Sequence, residues 1–153
     1  MDKPYLKRIG ILLYIAQASC PDVFFAVNHL ARFSLHTNQS DWASLENLIA
    51  YLHGTRSIGI LINKSNVSSQ MTCFFDANWG LDGNRSTNEY INMRGINPIS
   101  WQSKKHPTIC SSTAQSEYMA LSFAAKEVLW LHNLFVDVLK NFIPTLLSSN
   151  RLV

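Results

Sequence analysis

Three cysteines, Cys20, Cys73 and Cys110, stand apart in the chain with no C-x-x-C pair among them. Their spacing excludes a zinc ribbon or a thioredoxin-like redox motif, and the odd count argues against a disulfide framework. No uncharged apolar run approaches the roughly 20 residues of a membrane span. The opening MDKPYLKRIG is polar and charged, so no signal peptide is expected. The expected location is therefore intracellular, cytoplasmic or nuclear. There is no dense Lys/Arg block: a net charge of +3 is compatible with a nucleic-acid partner without requiring one. The five histidines, His29, His36, His53, His106 and His132, lack metal-ligand spacing. Internal repeats and low-complexity tracts are also missing.

What the chain does have is apolar content. At 47% hydrophobic and 11% aromatic, 153 residues can bury one ordinary core or two small ones sharing a face. The first 55 or so residues read as helices. Leu6, Ile9, Leu13 and Ala16 form one stripe, and Pro21-Asp22 suits the first turn of a second helix reaching about Ser34, with Val23, Val27 and Leu30 inward. Ser40 or Asp41 is the expected cap of a third helix carrying Trp42, Leu45, Ile49 and Leu52, and Gly54 suits its end.

The period then changes. Ile58, Ile60 and Ile62 alternate as in a strand, and residues 64–70 are a polar linker and the candidate boundary. Residues 71–75 form a short continuous apolar run, as in a central strand covered on both faces. Asn84 to Thr87 is turn-like, and strands are expected over residues 88–93 and 99–103. Ser112 with Gln115 makes a capping box for a long helix to about Lys140, with Leu121, Ala124, Val128, Leu131, Phe135 and Val138 as its apolar stripe. Pro144 should end the pattern, and Thr145 to Ser149 should begin one more strand.

Two acids stand out. Asp76 ends the first apolar strand, and Glu117, four residues before Leu121, shares the expected core-facing stripe of the long helix. A helix packed on the face of Phe74 and Asp76 would bring the two carboxylates together, and a divalent cation, Mg²⁺ or Mn²⁺, would relieve their repulsion. Spacing alone leaves structural roles open: Asp76 as a turn cap, and Glu117 as a favourable charge near a helix start. Lys104, Lys105 and His106 make a small basic patch, suited either to phosphates or to a solvated strand end.

Longer motifs add to this. IGILLYIA and CPDVFFAVNHLARF resemble G-S-L-L-Y-L-A and R-P-D-I-x-F-A-V-x-x-L-S-R-F of copia-type retrotransposon polyproteins, where the end of reverse transcriptase meets RNase H. In the same order, DWASLENLIAYLHGTRSIGILI, FFDANWG, NRSTNEY and PISWQSKKHPTICSSTAQSEYMALSFAAKEVLWL resemble successive stretches of that family, so the match covers nearly the whole chain.

The resemblance implies an α/β fold. A helical connection segment, residues 1–64, would precede a truncated RNase H-like unit, residues 70–153, with a mixed sheet and one long helix. It implies an ancestral activity: hydrolysis of the RNA strand of RNA–DNA hybrids by two Mg²⁺ or Mn²⁺ ions. It implies that Asp76 and Glu117 match two metal-binding acids. PTLLSSNR resembles P-x-L-L-x-D-N-Q, which gives Ser149 the position of the third acid, and the fourth would lie beyond Val153. A hydroxyl brings no full negative charge to balance two divalent ions, so cleavage is expected to be lost. Asp82 and Asp137 are poor substitutes. Asn78, Glu89 and Gln115 replace an Asp, a Gly and a Glu of the family motifs, and Glu89 is expected to strain a turn. Two alternatives stand beside this reading: an RNase H fragment completed by a partner chain or the rest of a polyprotein, and a non-catalytic module binding nucleic acid or protein.

Overall fold

Apolar side chains three and four residues apart draw the N-terminal helices together. The computed structural model describes residues 3–63, 70–82 and 85–149. Helix α1 (Lys3–Ala18) buries Tyr5, Ile9, Leu12 and Ala16. Leu6, expected on that stripe, is exposed, and Leu13 only flanks the core. Tyr5 takes the inner place because both its ends are satisfied. Its ring meets Trp42 edge-on at 5.3 Å, and its hydroxyl donates to the Leu30 carbonyl at 3.0 Å.

The single second helix expected from Pro21 is a 3-10 turn, Pro21–Val23, followed by α2 (Phe24–Ala31). Val23, Val27 and Leu30 are buried, as expected. Helix α3 (Gln39–Gly54) is capped by Asn38 rather than Ser40 or Asp41. Asn38 Oδ1 accepts from the Asp41 N–H and Asp41 Oδ2 accepts from the Asn38 N–H, both at 2.9 Å, a reciprocal capping box. Gly54 is the last helical residue. Leu45 completes a closed apolar core for the three helices.

Residues 58–63 do not form the expected strand. A strand needs a ladder, and these residues meet one side chain instead: Asn97 Oδ1 accepts from the Asn63 N–H at 2.8 Å and Nδ2 donates to its carbonyl at 3.1 Å. The expected linker falls outside the described residues except for Gln70.

Strands β1 (Met71–Asp82), β2 (Arg85–Arg94) and β3 (Asn97–Lys105) form a sheet in that order. Both pairings are antiparallel, so these three strands alone do not make the sheet mixed. β2 is the central strand. β1, expected to be central and covered, lies at the edge, and Phe74 is 61% exposed there. Gly95, at φ 62°, supplies the left-handed residue of the two-residue β2–β3 turn. The register shifts between Asn92 and Met93, where Pro98 has no N–H to offer the ladder. Glu89 sits in the extended middle of β2, paired with Asp76 and Ser103, so the expected turn strain has no place there.

Helix α4 (Thr113–Ser149) is 37 residues long. Ser112 Oγ accepts from the Gln115 N–H at 3.2 Å, and Gln115 Oε1 reaches back to Ser111, not Ser112, accepting from its N–H and hydroxyl at 2.7 Å each. The helix continues through Pro144, so residues 145–149 are not the expected fourth strand. A proline removes one helical hydrogen bond, but a strand without a partner would leave a whole row unmade. α4 packs on β1 and β2 through Ser116, Ala120, Ala124 and Leu131. The small residues let the helix lie close to the sheet.

Candidate functional site

Strand register decides where Asp76 faces. Asp76 stands opposite Glu89, and Phe75 opposite Tyr90. Residues directly opposite in an antiparallel pair share a face, and neighbours along a strand alternate. Tyr90 faces α4: its ring lies 5.7 Å from that of Phe123, and burial pushes its phenol pKa up. On the same face Ser100 Oγ donates to Glu127 at 2.9 Å, and the Arg94 guanidinium lies 4.6 Å from the Phe135 ring. Asp76, Glu89 and Ser103 therefore face away from α4, toward the helical layer. There Ser103 Oγ donates to Glu89 at 2.9 Å, Trp101 Nε1 donates to the Ala16 carbonyl at 2.9 Å, and Arg32 donates to Thr87 Oγ1 at 2.8 Å.

Glu117 lies on the other side of the sheet. The buried stripe of α4 runs through Ser116, one residue before the expected position. Glu117 is exposed and Leu121 is 43% exposed, so the acid lies off the core-facing stripe. Packing α4 on the sheet does not bring it to the face of Asp76. Ser149 is the last residue of α4, roughly 48 Å along the axis from Glu117 at ~1.5 Å per residue. Asp82 closes β1, and Asp137 is exposed on α4. Among the described residues no group of three or more His, Cys, Asp and Glu is arranged to hold a metal ion. This donor set does not fit a pair of divalent ions. Asp76 instead borders an apolar groove of about 510 Å³ with Phe24, Phe74, Glu89 and Trp101.

The basic patch sits in a second groove, of about 360 Å³, between the ends of β2 and β3 and helix α4. Lys104 stands opposite Asn88 on the α4 face, its Nζ 6.0 Å from the Phe123 ring centroid. Lys105 ends β3 at the border of this groove, but it stands opposite Thr87, so by strand alternation it belongs to the other face of the sheet. His106 is buried: its N–H donates to the Ser86 carbonyl at 2.7 Å, and its Nδ1 accepts from the Thr108 N–H at 3.2 Å. Lys126 adds a cation from α4, and no aspartate or glutamate lines the groove among the described residues.

A secreted RxLR effector protein of Plasmopara viticola is 32% identical over 130 residues, covering 84% of this chain and 91% of that protein. The retrovirus-related Pol polyprotein from transposon RE2 of Arabidopsis thaliana is 33% identical over 136 residues, 88% of this chain. That from transposon TNT 1-94 of Nicotiana tabacum is 28% identical over 128 residues, 84% of this chain. The chain belongs to the copia-type retrotransposon polyprotein family. It spans only 9% and 10% of the lengths of these two polyproteins. No family model matches the chain, and no solved structure matches it significantly.

Within this copia-type segment the sequence motifs fall on real elements. FFDANWG lies on β1, residues 85–90 of NRSTNEY form the first part of β2, where 85–87 were expected as a turn, and SSTAQSEY runs into the start of α4. Trp79, three residues after Asp76, turns to the opposite face and donates through Nε1 to the Cys110 carbonyl at 3.1 Å. Asn88 and Lys126 were not legible as site residues. Helical spacing does put Lys126 near Phe123, but only the pairing of Asn88 with Lys104 brings that helix face and the strand ends together. No helix among the described residues is long and apolar enough to cross a membrane.

Proposed function

We propose that this segment is a remnant of a copia-type Pol polyprotein. Its ancestral two-metal site cleaved the RNA strand of RNA–DNA hybrids, and that activity is lost. One observation carries the reading: Asp76 and Glu117 face opposite sides of the sheet. Two-metal hydrolysis needs carboxylates converging on ions about 4 Å apart, so that one ion activates water and the other steadies the leaving oxygen. Ser149, at the third acid position by motif, adds no charge. Purified protein incubated with a labelled hybrid in Mg²⁺ or Mn²⁺ is expected to give no product above blank. Turnover that disappears in Asp76→Asn would overturn the proposal, and the fragment would then be a live nuclease.

A second reading is favoured by the basic groove: retained nucleic-acid binding without cleavage, through Lys104 and Lys105. Groove and acids are separate, so binding can outlive catalysis.

A further inference from the structure

We propose that the apolar groove between the sheet and the start of α2 receives the arginine side chain of a partner protein whose chain runs along the outer edge of β1. The inference goes beyond both readings above and rests on neither.

Two rungs of the sheet form the floor of this groove. Phe74, Ile91 and Trp101 stand opposite one another in one rung, and Asp76, Glu89 and Ser103 in the next rung on the same face. Two residues separate the rungs along each strand, a step of about 7 Å. That step is comparable to the reach of an arginine side chain. Phe24 and Asp22 close the groove from the helical layer, around a space of about 510 Å³. The Nε1 bond to the Ala16 carbonyl holds Trp101 on this face, the Ser103 hydroxyl fixes Glu89, and the Tyr51 hydroxyl fixes Asp22 at 2.7 Å.

Charge selects the occupant. Three carboxylates line the groove and, among the described residues, no lysine, arginine or histidine does. Arg32 reaches the following rung at Thr87, where Lys105 also stands, so neither lines the groove. Asp76 and Glu89 are like charges directly opposite across two strands, which costs stability unless a cation is shared between them. An anion is therefore excluded. An inorganic cation would leave the aromatic rung bare, and a compact ammonium holds its water strongly. A guanidinium is flat, stacks on aromatic faces and donates to carboxylates through a fork, and its apolar stem suits Phe74 and Trp101. The outer side of β1 carries no strand among the described residues, and Phe74 and Asp76 are exposed there. An extended partner chain can pair with that edge and direct one side chain into the groove.

The probe is a blocked leucine–arginine–leucine tripeptide titrated into ¹⁵N-labelled protein. Saturable shifts of the Trp101 indole N–H and of the Phe74, Asp76 and Glu89 amides are expected. Citrulline in place of arginine keeps the shape without the charge and should abolish binding. A lysine peptide should bind about tenfold more weakly. Ethylguanidinium, with no backbone to pair with β1, should also be about tenfold weaker. Glu89→Gln should weaken the arginine peptide about tenfold. Asp76→Asn and Phe74→Ala, at exposed positions, should each weaken it about threefold, and they decide the matter if Glu89→Gln melts early. Glu46→Gln/Asp137→Asn, exposed on α3 and α4, is the control for bulk charge and should leave the affinity unchanged.

The assignment is refuted if the arginine peptide gives no saturable shift, if the citrulline or lysine peptide serves as well, or if the control pair weakens binding as much as the groove variants. Ethylguanidinium binding as tightly as the peptide would replace the protein partner by a small compound and overturn the pairing with β1. Displacement of the peptide by Mg²⁺ at matched ionic strength would return the two acids to a metal and overturn the assignment as well.

Discussion

The helical layer and the sheet–α4 layer are filled differently. Around α1, α2 and α3 the enclosed apolar side chains are Tyr5, Ile9, Leu12, Ala16, Val23, Val27, Leu30 and Leu45, and the enclosed Tyr5 hydroxyl, Ser34 hydroxyl and Asp41 carboxylate are each hydrogen-bonded. Between the sheet and α4 the enclosed set includes Ser86, Asn88, Asn92 and Ser116 beside Tyr90, Ala120 and Ala124. Ser86, Asn88 and Asn92 each keep a buried oxygen with no partner. The first arrangement is what a stable core selects, because apolar burial contributes ~25 cal/mol per Å² while an unpaired polar group subtracts from stability. The second tolerates a loss of stability.

The largest effect should come from deleting matched leucines. Leu45→Ala should cost about 3 kcal/mol, because its neighbours are fixed on three helices and cannot collapse into the space. Leu131→Ala should cost about half as much. Its surroundings on α4, Trp130, Leu134 and Val138, are already largely exposed, so water enters the gap. Urea unfolding of both variants measures the ratio. Equal costs would mean that the two layers are equally well packed, and the comparison would fall.

The same contrast explains what could be read from the sequence. Val23, Val27 and Leu30 were legible because period alone selects large apolar residues where a helix meets other helices. The α4 stripe was read correctly at Ala124 and Leu131 but misplaced by one position at its start, where the contact with the sheet is made by Ser116 and Ala120 rather than Glu117 and Leu121. Small residues permit close approach there, while the bulkier Leu121 and Val138 remain outside. Ile58, Ile60 and Ile62 had the right alternation but no strand to pair with. Asp76 and Glu117 were legible as acids. Their opposed facing was not, because it depends on Phe75 pairing with Tyr90 across the sheet. The groove of Asn88 and Lys126 depends in the same way on register, which no local pattern encodes.

A smaller effect, of opposite sign, should come from the polar filling. Asn92 is fully buried, Oδ1 has no partner, and Nδ2 reaches Ser100 Oγ only at 3.5 Å. Asn92→Leu, of similar branching, removes the unpaired oxygen and should raise stability by about 1 kcal/mol, because nothing well bonded is given up. Thermal melts followed at 222 nm are the measurement. A fall in melting temperature would mean that the site between β2 and α4 is better satisfied than its hydrogen bonds indicate.

The smallest effect should be alkaline, and each layer carries one reporter. Burial raises the phenol of Tyr5, helped by the negative Asp41, and burial also raises that of Tyr90, with Glu127 adding to it against a Ser100 hydrogen bond. Both phenols hold their proton in the fold at a pH where the unfolded chain, near 10.0, has begun to release it. Stability from these groups is therefore fully present below about pH 10 and is lost as pH rises through the folded value. Tyr5→Phe should flatten that loss and also cost stability at neutral pH, because the hydrogen bond to Leu30 disappears. Tyr90→Phe should flatten it as well, and should also cost stability at neutral pH, because the hydrogen bonds of its hydroxyl with Ser100 and Glu127 disappear. Melting temperatures at about pH 8 and about pH 11 for wild type and both variants decide it. A wild type whose stability does not fall on the alkaline side would show that neither phenol is shielded, and the closed packing assigned to the helical layer at Tyr5 would have to be abandoned first.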